Sequence, residues 1–434
     1  MLTREENDLL CSVGPGTPMG QALRRYWLPA LLSWELPEGD CPPVRLRLLG
    51  EDLVAFRASD GRVGVLDELC PHRLASLWLG RNEDGGLRCI YHGWKFDVTG
   101  QCVDQMNEPE QFAHKIRATA YATWEKSGAI WVYMGPPDRQ PPVPNFEYLN
   151  ADEDHLGITK TRQECSWLQS LDGGVDTSHA PILHRRIVTT STQGGHHPGN
   201  PAVRGGAPRL EVDPTNYGYR YYAVRSLGDE QYARGFHFVM PFTQIRPMQV
   251  GRGAGGDRSL GAGHHWVPID DTACMVWNIT YSFGADTLTW EEKVDVDAGN
   301  GPDQVDYHDG FRGHATRTNN WHIDRRMQRT ENFTGIVGIN TQDRAIQESM
   351  GVMVDRTREH LGPADRAVIV MRQQLLRAVR QVREGGDPLG ANDSYWHVRP
   401  IEKILPAGAD WRAALIPEMT LERPTTRVRA TPAG

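Results

Sequence analysis

Over the first third of the chain, apolar residues recur in short runs with turn residues between them. VRLRLLG from Val44, DLVAFRA from Asp52, VGVLDEL from Val63 and AIWVYMG over residues 129–135 each suit a β-strand, with Gly and Asp separating them. Ahead of these runs, Thr3 with Glu6 predicts a capping box for a first helix ended by Gly14-Pro15-Gly16, and a second short helix is expected over Met19 to Trp27. Residues 136–144 (PPDRQPPVP) read as a stiff linker. Beyond it the runs lengthen. ITKTRQECSW (158–167) starts as a strand and leads into a helix near residues 167–184. YGYRYYAVRSL, ARGFHFVMPF and ACMVWNITYSF form strands of an antiparallel sheet, and residues 192–208, with His196 and His197, form a surface loop. The apolar period becomes helical from Pro363 to Glu384. Val368, Leu375, Leu376, Val379 and Val382 make a stripe there, and Gly385 stops the helix. The class is α+β, divided as helices over 1–27, an all-β unit over 28–140 and an α+β unit over 141–434.

Composition narrows the chemistry. The 434 residues are 39% hydrophobic and 24% charged, an ordinary globular balance with room for two domains. A net charge of −8 and a pI near 6.1 leave no basic excess for neutralising phosphates, so no nucleic-acid partner is expected. No apolar run is long enough to span a membrane, and the start, MLTREENDLLC, is unlike a secretory signal. The seven cysteines are scattered and odd in number, unlike a disulfide framework, which points to a reducing cytoplasm.

Two chemical clusters stand on this frame. In residues 69–94, LCPHRLASLWLGRNEDGGLRCIYHGW, Cys70-Pro71-His72 and Cys89-Ile90-Tyr91-His92 each supply one thiolate and one imidazole. That donor set holds a [2Fe-2S] cluster of the Rieske type, with thiolates on one iron and imidazoles on the other. Tetrahedral zinc also takes Cys2His2, but zinc fingers group like ligands together, and here each half is mixed. The flanking Arg73-Leu74 and Ile90-Tyr91 lack the extra cysteines of the high-potential type, so a low-potential cluster is expected.

The second cluster is SLDGGVDTSHAPILHRR, residues 170–186, with His179 and His184 five apart and Asp176 three before His179. Two imidazoles and one carboxylate on one face suit a mononuclear ferrous ion with open positions for oxygen. Residues five apart lie about 140° apart on a regular helix, so a π-bulge at Pro181 is expected to bring the rings together. The carboxylate comes from TGIVGINTQDRAIQESMG (334–351), which offers Asp343 and Glu348; Asp343, at the start of a helical stretch, is preferred.

The pairing of C-P-H-R and C-x-Y-H-G-W with D-x-x-H-x4-H resembles the oxygenase α-subunits of Rieske non-haem iron ring-hydroxylating oxygenases. NFTGI, QDRAIQESMG and DRTREHLGPADRAVI extend the likeness toward the phthalate dioxygenase branch. The resemblance implies a three-sheet N-terminal domain and a helix-grip catalytic domain, in which an antiparallel sheet wraps a long helix. It also implies head-to-tail trimers, sometimes stacked into hexamers. Cys70 and Cys89 would bind the inner iron of the cluster, His72 and His92 the outer, and His179, His184 and Asp343 the mononuclear iron. Asp176 would bridge a triad histidine to a cluster histidine of the neighbouring subunit. Ser166 stands where the family often has asparagine, and Leu74 where glycine is common.

The expected activity is dioxygenation of an aromatic acid by O2, with monooxygenation or O/N-demethylation as the alternative on the same metals. A non-catalytic Rieske carrier would need only about the first third of this length. Gly251-Arg-Gly253-Ala-Gly-Gly256 spells G-x-G-x-x-G but lacks the strand-to-helix setting of a dinucleotide site. Electrons are therefore expected from a separate NAD(P)H-dependent reductase carrying flavin, ferredoxin or both. Arg209 and Arg234 are candidates for a bidentate grip on a substrate carboxylate. His264 and His265, like His196 and His197, read as loop residues with lining of a pocket mouth as the alternative, and His308, His314 and His322 are too scattered to act as ligands.

Overall fold

The computed structural model describes residues 2–190, 194–249 and 258–421. Its first helix, Arg4–Cys11, has the expected reciprocal cap: Thr3 Oγ1 accepts from the Glu6 amide, and the Glu6 carboxylate accepts from the Thr3 amide. The next helix, Pro18–Leu23, stops short of Trp27, because Trp27 already pairs with Tyr133 in a strand.

Twenty-odd residues on, the expected strands form at Val44–Leu48, Glu51–Arg57, Val63–Asp67 and Ala129–Tyr133. They belong to one six-stranded sheet completed by Trp27–Leu32 and Ala120–Lys126. The Ala120–Lys126 strand pairs with Ala129–Tyr133 on one side and with Val63–Asp67 on the other, which fuses two of the implied three sheets into one. A separate four-stranded sheet, Arg81–Glu83, Gly86–Arg88, Trp94–Phe96 and Cys102–Gln105, carries one cysteine–histidine loop at a strand end. Its own small core contains Cys70, Cys89, Leu77, Leu87, Trp94 and Phe96, all buried.

After the proline segment, a ten-stranded sheet dominates, and its central strands are antiparallel. Residues 363–384 form a single-turn 3-10 segment and then the helix Arg366–Arg383. It buries Val368, Met371, Leu375 and Val379, and Gly385 follows at φ +81°. The chain is α+β, as the patterning indicates. Two local expectations need correction. His264 and His265 lie on the strand Leu260–Pro268 and are buried, because GAGHHWVP pairs on both sides and both faces of the strand are covered. Within residues 192–208, Asn200 caps a short helix, Pro201–Arg204, and residues 191–193 lie outside the described residues. The Gly251–Gly256 stretch also lies outside them. Among the described residues, no helix is long and apolar enough to cross a membrane.

Candidate metal centres and the cavity between helix and sheet

The two cysteine–histidine loops are built alike. The Cys70 amide donates to the Ala75 carbonyl, and the Leu74 amide donates back to Cys70; Cys89 makes the same pair of bonds with Trp94 and Gly93. The fourth residue past each cysteine is left-handed: Leu74 at φ +59° and Gly93 at φ +76°. The loops thus present Cys70 and Cys89, 1% and 2% exposed, beneath His72 and His92, whose ring centroids are 4.4 Å apart. The indole of Trp94 stacks on His72 at 4.4 Å and fixes its plane. A hydrogen bond from Cys70 pulls the Cys89 thiol down to about 6, and the same contact, with burial, pushes Cys70 far up. His72 Nδ1 is buried with no hydrogen-bond partner. Two thiols poised to share negative charge and an orphaned imidazole nitrogen fit a thiolate–imidazole metal cluster.

The second centre starts from the helix Trp167–Val175, which packs on the strands Leu260–Pro268 and Cys274–Ser282 of the large sheet. Gly173 and Gly174 permit the close approach: a Cβ on Gly174 would lie 2.0 Å from the Trp266 ring. The helix ends at Asp176, whose Oδ1 accepts from the Ser178 amide at 2.6 Å and whose Oδ2 accepts from the His179 amide and from His179 Nδ1, at 3.2 and 3.1 Å. A new turn, Ala180–Leu183, follows, with Pro181 in its first positions. The expected π-bulge is not there, because the His184 amide donates to the Ala180 carbonyl as in an ordinary α-turn. The rings meet instead because the element is only one turn long. His179 sits at its N-cap, and His184 leaves it at φ −93°, ψ 17°.

The ring centroids of His179 and His184 are 5.2 Å apart, nearly perpendicular. Asp343 comes from the helix Ile339–Ser349, and its Oδ1 lies 3.3 Å from Nε2 of each histidine. The three donor atoms fall within 4.8 Å of one another. Burial opposes charge on His179, yet hydrogen bonds to Asp176 and Asp343 outweigh it and push its pKa up to about 10. Asp343 is held far below the usual carboxylate range against its own burial by the two histidines. A site that draws in a proton this strongly, with two imidazoles and a carboxylate converging, fits a divalent cation. Glu348 faces elsewhere, accepting from Trp321 Nε1 at 2.7 Å and from the Glu164 amide at 3.1 Å.

A cavity of about 120 Å³ opens onto the triad, the scale of a void that admits a benzene ring (about 150 Å³). Phe236, Trp266, Val276 and Ile339 give it apolar walls, and Gln244, His264, Asn278 and Asn300 give it polar ones. A neighbouring cavity of about 290 Å³ shares His196, Arg234, Arg246 and Ile339 with it and adds Arg186 and His197. Of the two proposed arginines, Arg234 lines both cavities, and its guanidinium also pairs with Glu402 at 2.8 Å. Arg209 does not line them. It is exposed on the strand Arg209–Pro214 and pairs with Glu211 at 3.3 Å. Ser166 is fully buried at the start of the site helix, outside the cavity lining. His264 and His196, read from the sequence as loop residues with lining of a pocket mouth as the alternative, both line the cavity. Arg246, Asn278 and Asn300 escaped the sequence reading; the first two lie on the strands Thr243–Pro247 and Cys274–Ser282, and no local pattern marked them.

Residues 26–119 match the Rieske [2Fe-2S] domain family, and residues 132–428 match the family described as LigXa C-terminal domain like. The chain is 37% identical to the phthalate 4,5-dioxygenase oxygenase subunit of Pseudomonas putida, over 95% of this chain and 94% of that one. It is 36% identical to the 3-chlorobenzoate-3,4-dioxygenase oxygenase subunit of Comamonas testosteroni, over 95% and 97%. With the 5,5'-dehydrodivanillate O-demethylase oxygenase subunit of a Sphingobium species it shares 30% over 97% and 90%. Among solved structures, dicamba monooxygenase bound to dicamba covers 83% of this chain and 99% of its own, with a TM-score of 0.60 at 18% identity. Pseudomonas putida CBB5 NdmA with caffeine reaches 0.61 at 19%, covering 89% and 98%. These two likenesses concern the fold.

Proposed function

The chain belongs to the Rieske non-haem iron ring-hydroxylating oxygenases, as an oxygenase α-subunit of the phthalate dioxygenase-like branch, and we propose that it dihydroxylates a single-ring aryl carboxylate. As a member it is an oxidoreductase that carries a Rieske [2Fe-2S] cluster and a mononuclear iron and depends on a separate electron-transfer partner. We assign Cys70, His72, Cys89 and His92 to the cluster, and His179, His184 and Asp343 to Fe(II). The cluster supplies electrons singly and the ferrous ion activates dioxygen. The partner is an NAD(P)H-dependent reductase with flavin, ferredoxin or both. The domain division at residues 28–140 and 141–434 follows the proline segment, with residues 1–27 on the second unit; the helix Pro18–Leu23 packs on Arg366–Arg383, and Trp167 Nε1 donates to the Leu10 carbonyl at 3.1 Å. A cytoplasmic setting suits the five buried cysteines outside the cluster, none of them in a disulfide.

One observation supports the substrate reading: a ring-sized cavity over the triad adjoins a second cavity whose lining holds Arg186, Arg234 and Arg246, three cations against Asp297 and Glu402. Apolar walls exclude water from the ring, while the guanidiniums attract and orient a carboxylate. A second reading, O-demethylation or another monooxygenation on the same metals, is favoured by the likeness to an O-demethylase subunit along nearly the whole chain.

The assembly we propose is a head-to-tail trimer or a stacked pair of trimers. Two exposed apolar patches support it. Leu69, Leu74, Ile90, Tyr91 and Met106 surround the cluster loops, and Ile182, Ile187, Phe333, Val337 and Ile346 surround the triad. Exposed apolar patches of this kind mark interaction sites, and one patch meeting the other repeats into a closed ring. Asp176, bonded to His179, then faces the neighbour's cluster.

The test combines purified protein, a reductase, NADH and a panel of benzoates and phthalates, with products identified by mass spectrometry. A cis-diol product and about three irons per subunit are expected. Release of formaldehyde from methoxylated acids, without diols, would favour the second reading. No oxidised product, with only two irons, would sink both.

A further inference from the structure

The two triad histidines are held by chemically different partners. His179 donates from Nδ1 to the Asp176 carboxylate. His184, 4% exposed, turns Nδ1 toward a neutral amide, with Gln342 Oε1 at 2.8 Å. Which end of an amide faces a ring has to be argued from its surroundings, and here they decide it. Gln342, 1% exposed, has its Nε2 at 2.9 Å from the backbone carbonyl of Ile336. A carbonyl only accepts, so the amide nitrogen faces Ile336 and the amide oxygen faces His184. That oxygen also only accepts, so the His184 proton sits on Nδ1. The lone pair on Nε2 is then directed at the triad centre, where Asp343 Oδ1 lies at 3.3 Å. The Ile336 carbonyl is itself anchored, because Asn332 Nδ2 donates to it at 3.1 Å.

We propose that Gln342 is a positioning residue for the mononuclear iron, holding His184 in the one tautomer and ring orientation that present Nε2 to the metal. The proposal rests on the ligand assignment above. It makes the helix Ile339–Ser349 bifunctional: adjacent residues supply one ligand, Asp343, and the group that orients another. Gln342 does not line the cavity and lies behind His184, so it has no route to substrate. Without the acceptor, a buried N–H loses its partner and the ring is free to place its proton on Nε2, where it blocks coordination. Groups that orient metal-bound histidines in this way typically contribute about 10- to 100-fold in metal affinity.

The experiment uses the full chain with its cluster intact, stripped of mononuclear iron by a mild chelator and titrated with Fe(II), with Co(II) as a spectroscopic probe. Gln342→Leu is expected to weaken Fe(II) binding about 10- to 100-fold and to alter the Co(II) visible spectrum, with cluster absorption unchanged. Gln342→Glu, which keeps an acceptor oxygen beside Nδ1, is expected to recover most of the affinity. Wild-type affinity and spectrum in Gln342→Leu would overturn the proposal. Equal loss in both variants, accompanied by a lower melting temperature, would also overturn it and leave Gln342 a packing residue. His184→Ala serves as reference. If wild-type protein takes up no Fe(II) that His184→Ala fails to take up, the ligand assignment itself falls, and that outcome is distinct from failure of Gln342 alone.

Discussion

At the scale of single residues, Leu74 shows what the sequence can flag without explaining. Its position in the first cluster loop corresponds to Gly93 in the second, and both residues are left-handed. Holding a residue with a Cβ there costs about 1–2 kcal/mol, partly offset because glycine loses more entropy on folding. Leu74 is 67% exposed, so it recovers little by burial within its own chain. The cost is understandable if its side chain is covered by a neighbouring subunit. Leu74→Gly should therefore stabilise the dissociated subunit by about 0.5–1 kcal/mol in a urea melt while weakening its self-association on gel filtration. Unchanged association would remove Leu74 from the interface. Asp176 carries two tasks at once, accepting from Ser178 with one oxygen and from His179 with the other. An asparagine can serve only one of these. Asp176→Asn should cut product formation at least about 10-fold while iron and cluster content stay at wild-type levels; full activity would refute the bridging role. Six of the seven proposed metal ligands could be picked out because few side chains bind iron and their spacing is local, whereas Asp343, far off in sequence, was chosen for its place at a helix start. Gln342 stood beside Asp343 in plain view, but its task depends on where the Ile336 carbonyl falls, and no local pattern encodes that.

Among the elements, the strands were legible wherever one run of apolar residues carried them, and least legible where polar residues face a cavity. GAGHHWVP looked like a loop because two histidines and three small residues break the alternation, yet it is a central strand paired along both edges and buried on both faces. His265, 1% exposed, is bonded at Nδ1 by Thr243 and at Nε2 by Tyr148. His237, fully buried on the strand Glu230–Val239, is bonded by Tyr217 and the Arg399 carbonyl. Burial pushes both rings down to about 3. The folded state thus keeps them neutral at pH values where the unfolded chain, titrating near 6.5, takes up protons. Their contribution is complete above about pH 6.5 and is lost as pH falls from there toward 3. By pH 5 each has removed about 2 kcal/mol. Melting temperature should accordingly drop steeply between pH 7 and 5, and His237→Gln should flatten the slope. A melting curve indifferent to pH over that range would contradict the neutral assignment.

For the whole molecule, the decisive question is which chain's cluster serves which chain's iron. The cluster loops and the triad belong to different sheets, and each is ringed by exposed apolar residues that the single chain leaves uncovered. The helix boundary at Asp176 places that carboxylate 3.1 Å from a triad histidine. These features make each subunit look like half of two sites. Mixing two disabled proteins tests this directly. Asp343→Ala keeps the cluster and loses the mononuclear iron; His92→Ala keeps the triad and disables the cluster. Each alone should be inactive. After dissociation together and reassembly in equal amounts, a head-to-tail ring creates junctions in which an intact cluster precedes an intact triad. With half of the donors and half of the acceptors intact, about a quarter of the junctions are competent, so activity should return to about a quarter of the wild-type value per subunit. If electrons instead travel within one chain, no mixture can contain a competent unit, and the reassembled sample stays inactive.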